Sequence, residues 1–315
     1  MEPLLAIFRA VGDPSRLRIL LLVKGMELAV GEIAQVLQQS QPRVSRHLRI
    51  LAEAGLVERV REGAWVFVRL GSAATSGPVL GAIEALAGGT DLGASDRARL
   101  DQVRADRAAA VDSWFAAHAG EWEQERSLHT REAGVEQAIA AALFGDLGDL
   151  VDVGTGTGRM IELLGPRART ALGLDRNPEM LRIARNRLEA VGLTSARVQA
   201  GDMYEMPLGP GSADTLVLHQ VLHFADNPAA AIAEAARVLR PGGRLLVIDL
   251  MPHNREELRV ERRHLRLGFA DEAVLGWMAD AGLQGQVARR LPAEDAAQLG
   301  VTLWLATKPA VKVEA

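Results

Sequence analysis

Residues 151–158 read Val-Asp-Val-Gly-Thr-Gly-Thr-Gly, an apolar segment running into glycines at alternating positions. Glycines let a backbone turn sharply, take positive φ and approach a bound ligand closely. A helix-forming stretch, Arg159 to Leu164, follows at once, and a strand, glycine turn and helix start frame nucleotide sites in open α/β sheets. Two common versions are excluded. The dinucleotide pattern G-x-G-x-x-G needs a glycine where Arg159 stands, and the phosphate loop G-x-x-x-x-G-K-[ST] needs a lysine that is absent. A second apolar segment, Ala171 to Asp175, ends in a carboxylate 17 residues after Gly158, placed to accept from ribose hydroxyls. A third, from Val198, leads to Asp202 and Met203; a fourth, Asp214 to Leu218, opens into His219 and His223. Either histidine could serve as a general base or be structural. A Gly-Gly turn within Leu239 to Asp249 feeds a fifth apolar strand.

Asp152-x-Gly154-x-Gly156-x-Gly158, followed in order by these strand ends, resembles motif I and the downstream register of class I S-adenosylmethionine-dependent methyltransferases, over roughly residues 110–308. The resemblance implies a Rossmann-like, seven-stranded α/β domain. Its cofactor, S-adenosylmethionine or S-adenosylhomocysteine, would be held by Asp152, Gly154, Thr155, Gly156, Gly158, Asp175, Arg176, Asp202, Met203 and His219. Asp202 would accept from the adenine amino group while Met203 packs on the ring. Glu272 to Ala281 would be the last helix, with Val287–Leu291 and Val301–Thr307 as a closing antiparallel pair. His253, His264 and the basic run Arg255 to Arg266 fall where such enzymes form the acceptor pocket. Trp114, Phe115 and Trp122, with His118 and His129, precede the core and either cover the cofactor or simply pack. The acceptor would be a small molecule: the chain lacks the cysteines of arsenite methylation, and no Asn/Asp-Pro-Pro-Tyr/Phe motif of DNA methylation follows the fourth strand.

The glycine turn begins only near the middle of the chain, and a different pattern lies upstream. Val30 to Leu37 has helical apolar spacing, and Ser40 and Pro42 then suit the start of a second helix. In that helix Val44, Leu48 and Leu51 mark a buried face, with Arg46 and Arg49 nearly opposite. Gly55 to Leu70 alternates like a β-hairpin turning near Glu62-Gly63. Two helices and a hairpin describe a winged helix-turn-helix, whose basic second helix can reach a DNA major groove. The candidate contacts are Ser40, Gln41, Arg43, Ser45, Arg46 and Arg49 on the helix, and Arg59 and Arg61 on the wing. Ala10 to Leu20, Ser40 to Leu51 and Glu53 to Val57 resemble the ArsR/SmtB repressors, which implies a homodimer on a palindromic double-stranded operator. Glu27 to Glu32 lacks the thiol of that family's metal site, so no metal is expected.

Composition fits this two-part reading. A length of 315 residues suits two domains, and 48% hydrophobic residues can build two cores. Residues 1–70 hold ten Lys/Arg against seven Asp/Glu, a balance of +3 in a chain whose net charge is −4. No stretch approaches the roughly 20 apolar residues of a membrane span. No signal peptide is recognised at the start, so a cytoplasmic location is the expectation. The expected boundaries are a winged helix at 1–75, a helical connector for dimerisation or cover at 76–130, a methyltransferase domain at 131–308 and a tail at 309–315. Gly71 to Pro78 and Gly88 to Gly93 read as loops, and Ala94 to about Ala119 as one long helix. A catalyst and a ligand sensor acting on the DNA reader are both compatible with this sequence.

Overall fold

A computed structural model describes residues 2–24, 26–62, 64–87, 93–118, 132–295 and 298–310. Trp122 and His129 lie outside the described residues, as do Gly63 of the wing turn, 88–92 of the second glycine loop and 311–315 of the tail. The chain divides into two compact units, Met1–Ala109 and Ala110–Ala315.

The first unit opens with α1 (Glu2–Val11) and α2 (Pro14–Val23). Asp13 caps α2, its Oδ1 accepting from the amides of Ser15 and Arg16 at 2.8 and 3.1 Å. Strand β1 (Leu28–Ala29) leads into α3 (Val30–Leu37), which ends at Gln38 in the left-handed conformation, φ 55°. Helix α4 (Gln41–Glu53) follows with Pro42 in its first turn, where the missing N–H costs nothing. Ser40 occupies the N-cap position, but its side chain makes no capping bond. Its carbonyl instead accepts from the amides of Arg43 and Val44, both at 3.1 Å, leaving the hydroxyl exposed. Strands β2 (Val57–Glu62) and β3 (Trp65–Leu70) pair antiparallel from Val57↔Leu70 to Glu62↔Trp65, and β1 adds to β3. The core gathers Ile19, Ile33, Val36, Val44, Leu48 and Leu51, all fully enclosed.

Gly71 to Pro78 is not a loop: Pro78 lies inside α5 (Ala73–Ala87). Proline removes one internal bond, yet Ser76 Oγ donates to the carbonyls of Gly71 and Ser72 at 3.1 Å, and Leu80 is buried in the core with Val79 and Ile83 against it. Helix burial outweighs the local breaker signal. Helix α6 (Ala94–His118) follows, and Leu100 and Val103 from its first half join the same core. Arg18 and Arg99 both hold Asp96, and Arg107 pairs with Glu32 of α3. Of the expected connector, the described residues 76–87 and 93–109 therefore belong to the first unit.

The second unit includes α7 (Glu132–Ala142), β4 (Asp149–Val153), α8 (Arg159–Leu164), β5 (Thr170–Asp175), α9 (Pro178–Ala190) and β6 (Ala196–Ala200). Then come β7 (Ala213–His219), α10 (Pro228–Val238), β8 (Leu239–Leu250), α11 (Glu257–Glu261), α12 (Asp271–Asp280), β9 (Gln284–Leu291) and β10 (Val301–Thr307). The sheet order is β6-β5-β4-β7-β8-β10-β9. Five strands run parallel, and β10 is antiparallel to both β8 and β9. Fully buried apolar strands such as Leu245 to Ile248 fit a sheet covered on both faces. Two apolar clusters supply that cover, one built on α10 and α12, the other on α7 and α8. At the opposite end from the glycine turn, Asp149 and Asp214 share Arg169 and Arg240, with bonds of 2.6–3.1 Å.

The sheet positions chemistry through its connectivity. From β4 the chain moves outward to β5 and β6, then returns to the other side of β4 as β7. Ligands of open α/β sheets bind at the carboxyl ends of the strands beside such a reversal. The glycine turn lies there.

Candidate functional site

The turn after β4 is fastened to β5. The amides of Gly154 and Thr155 both donate to Leu174 O, at 2.8 and 2.9 Å, and Gly156 N donates to Asp175 Oδ2 at 2.8 Å. Gly154, Gly156 and Gly158 have φ of 69°, 51° and 81°, a region that L side chains seldom take. At Gly154 there is also no room, since a Cβ would meet Val221 Cγ2 at 2.5 Å. Asp152 is buried within β4 and Thr155 is buried in the turn. Asp175, half-buried, accepts a second amide, that of Asn177, on Oδ1 at 2.8 Å. Burial pushes its carboxyl above the usual range, although both amide bonds oppose this. A carboxylate offers about four acceptor positions, so Asp175 keeps capacity for a ligand.

Arg176 turns away from the glycines to pair with Asp112 at 2.8 Å, and Asn177 Nδ2 donates to Asp112 O at 3.0 Å. These bonds bring the end of α6 to the tip of β5. Asp202 stands two residues beyond β6, its Oδ1 accepting from Tyr204 N at 2.8 Å, and Met203 is half-buried against the apolar cluster. The Tyr204 hydroxyl oxygen accepts from Asn227 N at 3.1 Å, and burial pushes its pKa up to about 12.

Beyond β7 the chain crosses the turn and enters a cluster of rings. His219 is half-buried at the strand end. Gln220 adopts φ 51°, held by its amide bond to Ile248 O at 2.7 Å. Val221 then touches Gly154, and His223 follows two residues later. His223 is 3% exposed, and its Nδ1 lies 2.8 Å from Asp249 Oδ1 at the end of β8. Asp249 also accepts the amides of Leu222 and Leu250. Phe224 packs edge-on against Phe115 of α6, with centroids 5.1 Å apart, while His264 lies 4.3 Å from the His223 ring. His118 stacks on Trp114, and Arg262 lies over the Trp114 ring. His253 accepts from Arg255 N at 3.2 Å, and its Nε2 is enclosed without a partner. Burial lowers its pKa to about 4, assisted by His223 and the nearby arginines.

The sequence thus located His219 and His223 but missed Asp249, which it read only as the end of a strand. The hydrogen bond spans 26 positions, and no local pattern announces it. Asp112 was missed too; a carboxylate on a helix rich in Ala, Arg and Asp carries no distinguishing signal.

The candidate DNA contacts lie in the first unit. Ser40, Gln41, Arg43, Arg46 and Arg49 of the α4 region are exposed, as are Arg59 and Arg61 of β2, whereas Ser45 is half-buried. Val44, Leu48 and Leu51 are enclosed as their spacing required, joined by His47, which lies 3.8 Å from Asp13. Burial depresses the His47 pKa, and Arg16, Arg43 and Arg46 act in the same direction against Asp13.

Comparison with known proteins agrees with both halves. Residues 13–59 match the model of the bacterial regulatory protein arsR family, and residues 151–247 match a methyltransferase domain model. The chain joins an ArsR-family helix-turn-helix to a class I methyltransferase domain. The chain also has individual relatives. An uncharacterized methyltransferase of Mycobacterium bovis is 36% identical over 131 residues, 42% of this chain and 49% of that protein. Demethylmenaquinone methyltransferase of Tropheryma whipplei is 33% identical over 118 residues, 38% of this chain and 48% of that enzyme. A Streptomyces fradiae transposon protein of 37.1 kDa, also uncharacterized, is 38% identical over 117 residues, 36% of this chain and 33% of its own. The chain therefore spans between a third and a half of the length of these relatives. Among solved structures, the YcgJ protein of Bacillus subtilis has the same fold, with a TM-score of 0.50 and 18% identity over 57% of this chain and 100% of its own. No helix among the described residues is long and apolar enough to cross a membrane.

Proposed function

We propose that this chain is a DNA-binding regulator whose second domain binds S-adenosylmethionine and transfers its methyl group to a small molecule. One observation carries the cofactor assignment: Asp175 Oδ2 is bonded to Gly156 N, which sets a ribose-accepting carboxylate against a turn that excludes side chains. The residues fit the cofactor. The Gly154 to Gly158 turn would lie along its methionine portion, Asp175 suits the ribose, and Asp202 with Met203 suits the adenine. His219 stands beside the methionine end, and Asp152 supports the turn from within β4. Arg176 serves the site through Asp112. When bound, the cofactor supplies a methyl group on a sulfonium, and proximity and orientation do most of the catalysis.

Asp175→Ala tests the assignment. Loss of one charge-assisted hydrogen bond is worth about 1.5–3 kcal/mol, on the order of 10–100-fold in affinity. Calorimetry with S-adenosylhomocysteine should register that loss, and unchanged binding would contradict the site.

In this reading the first unit, Met1–Ala109, is the DNA reader with its supporting helices, and the second unit carries the methyltransferase domain. DNA recognition is supported by the exposed Arg43, Arg46 and Arg49 of α4 and Arg59 and Arg61 of the wing. Homodimer formation is supported by α1, where Leu4, Leu5 and Phe8 expose 52, 44 and 62% of their surfaces. A second reading, in which the cofactor or its demethylated product biases operator binding, is favoured by α6. Its Arg107 pairs with Glu32 in the first unit, and its Asp112 pairs with Arg176, the residue after Asp175. Operator affinity measured at fixed salt with and without each cofactor form tests it. A ligand acts only through its differential affinity for two states, so equal affinities would exclude the sensor.

A further inference from the structure

We propose that His223 and Asp249 form a base dyad for a planar acceptor with an acidic hydroxyl, a phenol or a ring enol. This rests on the methyltransferase reading and specifies its second substrate. Asp249 is fully buried at the end of a central strand and accepts the amides of Leu222 and Leu250. Those bonds fix the carboxylate, and its 2.8 Å contact fixes the imidazole. A carboxylate on Nδ1 selects the tautomer with hydrogen at Nδ1 and a lone pair on Nε2. The His223 side chain makes no other hydrogen bond among the described residues, so Nε2 is available to take a proton. The dyad is also in the right place, because Val221, two residues earlier, touches Gly154 of the cofactor turn.

The surroundings select the acceptor. Phe115, Phe224 and His264 stand around His223 with edges and faces 4.1–5.3 Å apart by centroid, an arrangement that suits another flat ring. The charged groups nearby include more cations than anions: Arg259, paired with Glu256, and Arg266 are 8 and 3% exposed, and Arg262 lies over Trp114. Asp249 is the one carboxylate touching His223 among the described residues. Such a setting favours an acceptor that becomes an anion and disfavours an ammonium. His223 Nε2 takes the hydroxyl proton, and the oxygen's freed pair forms the new O–C bond. The methyl carbon's bond to sulfur breaks, with its electrons returning to sulfur. The proton leaves Nε2 for solvent after product departs. His223 is thus the catalytic residue and Asp249 a positioning residue.

4-Nitrophenol gives a readout that needs no turnover, because its phenolate absorbs in the visible. Bound to the full-length protein with S-adenosylhomocysteine, it should ionise at a pH about one unit lower than in solution. His223→Asn keeps an N–H for Asp249 but removes the base, and His223→Gln removes the base with a different side-chain length. In either folded variant ionisation should move back toward the solution value, with S-adenosylhomocysteine affinity unchanged. Asp249→Asn should move it the same way. 4-Nitroaniline, equal in shape but without an acidic hydroxyl, should bind more weakly. An unshifted wild-type titration overturns the proposal, as does a shift that survives in a folded His223 variant. Nitroaniline binding as tight as nitrophenol overturns the acceptor class. Failure of the wild-type protein to bind S-adenosylhomocysteine strikes the methyltransferase reading instead.

Discussion

Gly154 offers a quantitative test of how the cofactor turn is built. Two costs meet in Gly154→Ala. The backbone φ of 69° is left-handed, which costs an L residue about 1–2 kcal/mol. The new Cβ would also lie 2.5 Å from Val221 Cγ2, and overpacking of that kind costs roughly 1–3 kcal/mol. Gly192, after α9, separates the two terms: its φ is 70°, and a Cβ there meets nothing within 4 Å. Gly192→Ala should therefore show the backbone cost alone. The difference between the two variants measures the collision, and Gly154→Ala with Val221→Ala should recover part of it by removing Cγ2. At about 2–4 °C per kcal/mol for a domain of this size, Gly154→Ala should melt several degrees below Gly192→Ala. Because Gly154 is itself part of the cofactor turn, Gly154→Ala should also weaken S-adenosylhomocysteine binding, whereas Gly192→Ala should not. Scanning calorimetry and titration calorimetry on the three variants decide the matter. Equal melting temperatures for the two alanine variants would refute the close approach on which the site's geometry depends.

Three further outcomes are expected. Asp149 and Asp214 are held below the usual carboxylate range, Asp149 chiefly by Arg169, while at Asp214 hydrogen bonds and charge from Arg240 outweigh desolvation. Depressed carboxylates stabilise the fold above the unfolded value of about 3.9 and lose that contribution as pH falls below it, so Asp149→Asn should flatten the acid limb of a melting-temperature profile. His253, lowered to about 4 by burial, has the opposite cause but the same direction. Between the unfolded value of about 6.5 and 4, the unfolded chain binds the extra proton, so stability should drop as pH is lowered across that window and His253→Phe should remove the slope. Finally, Arg43→Ala with Arg46→Ala should weaken operator binding and reduce its log–log salt slope by about 2 in fluorescence anisotropy titrations, if each arginine meets one phosphate.

The parallel core was legible because each strand announces itself. Leu150–Val153 (apolar but for Asp152), Ala171–Leu174 and Leu245–Ile248 are short segments each leading to glycine or a carboxylate, and they fall in the order the observed sheet requires. The buried face of α4 followed from the spacing of Val44, Leu48 and Leu51. Features depending on distant partners were not legible. Pro78 reads as a breaker until Leu80 and Ile83 find a core to enter. Ser40 has the chemistry of a cap, but its hydroxyl stays outside the bonding. Arg176 follows Asp175 in sequence, yet its partner is 64 positions away on α6, and Asp249 meets His223 only because β8 lies beside β7.

The position of β10 between β8 and β9 bears on how the chain comes off the ribosome. The last core residue of the first unit is Val103, whereas the second unit's sheet places Val301–Thr307 between two strands made earlier. At about 5–20 residues per second, roughly 10–40 s separate the synthesis of these two segments. The helix-turn-helix therefore has its whole core while the sheet still has an open strand edge beside β8. A ribosome stalled in this interval would display a folded DNA reader attached to an unfinished catalytic sheet.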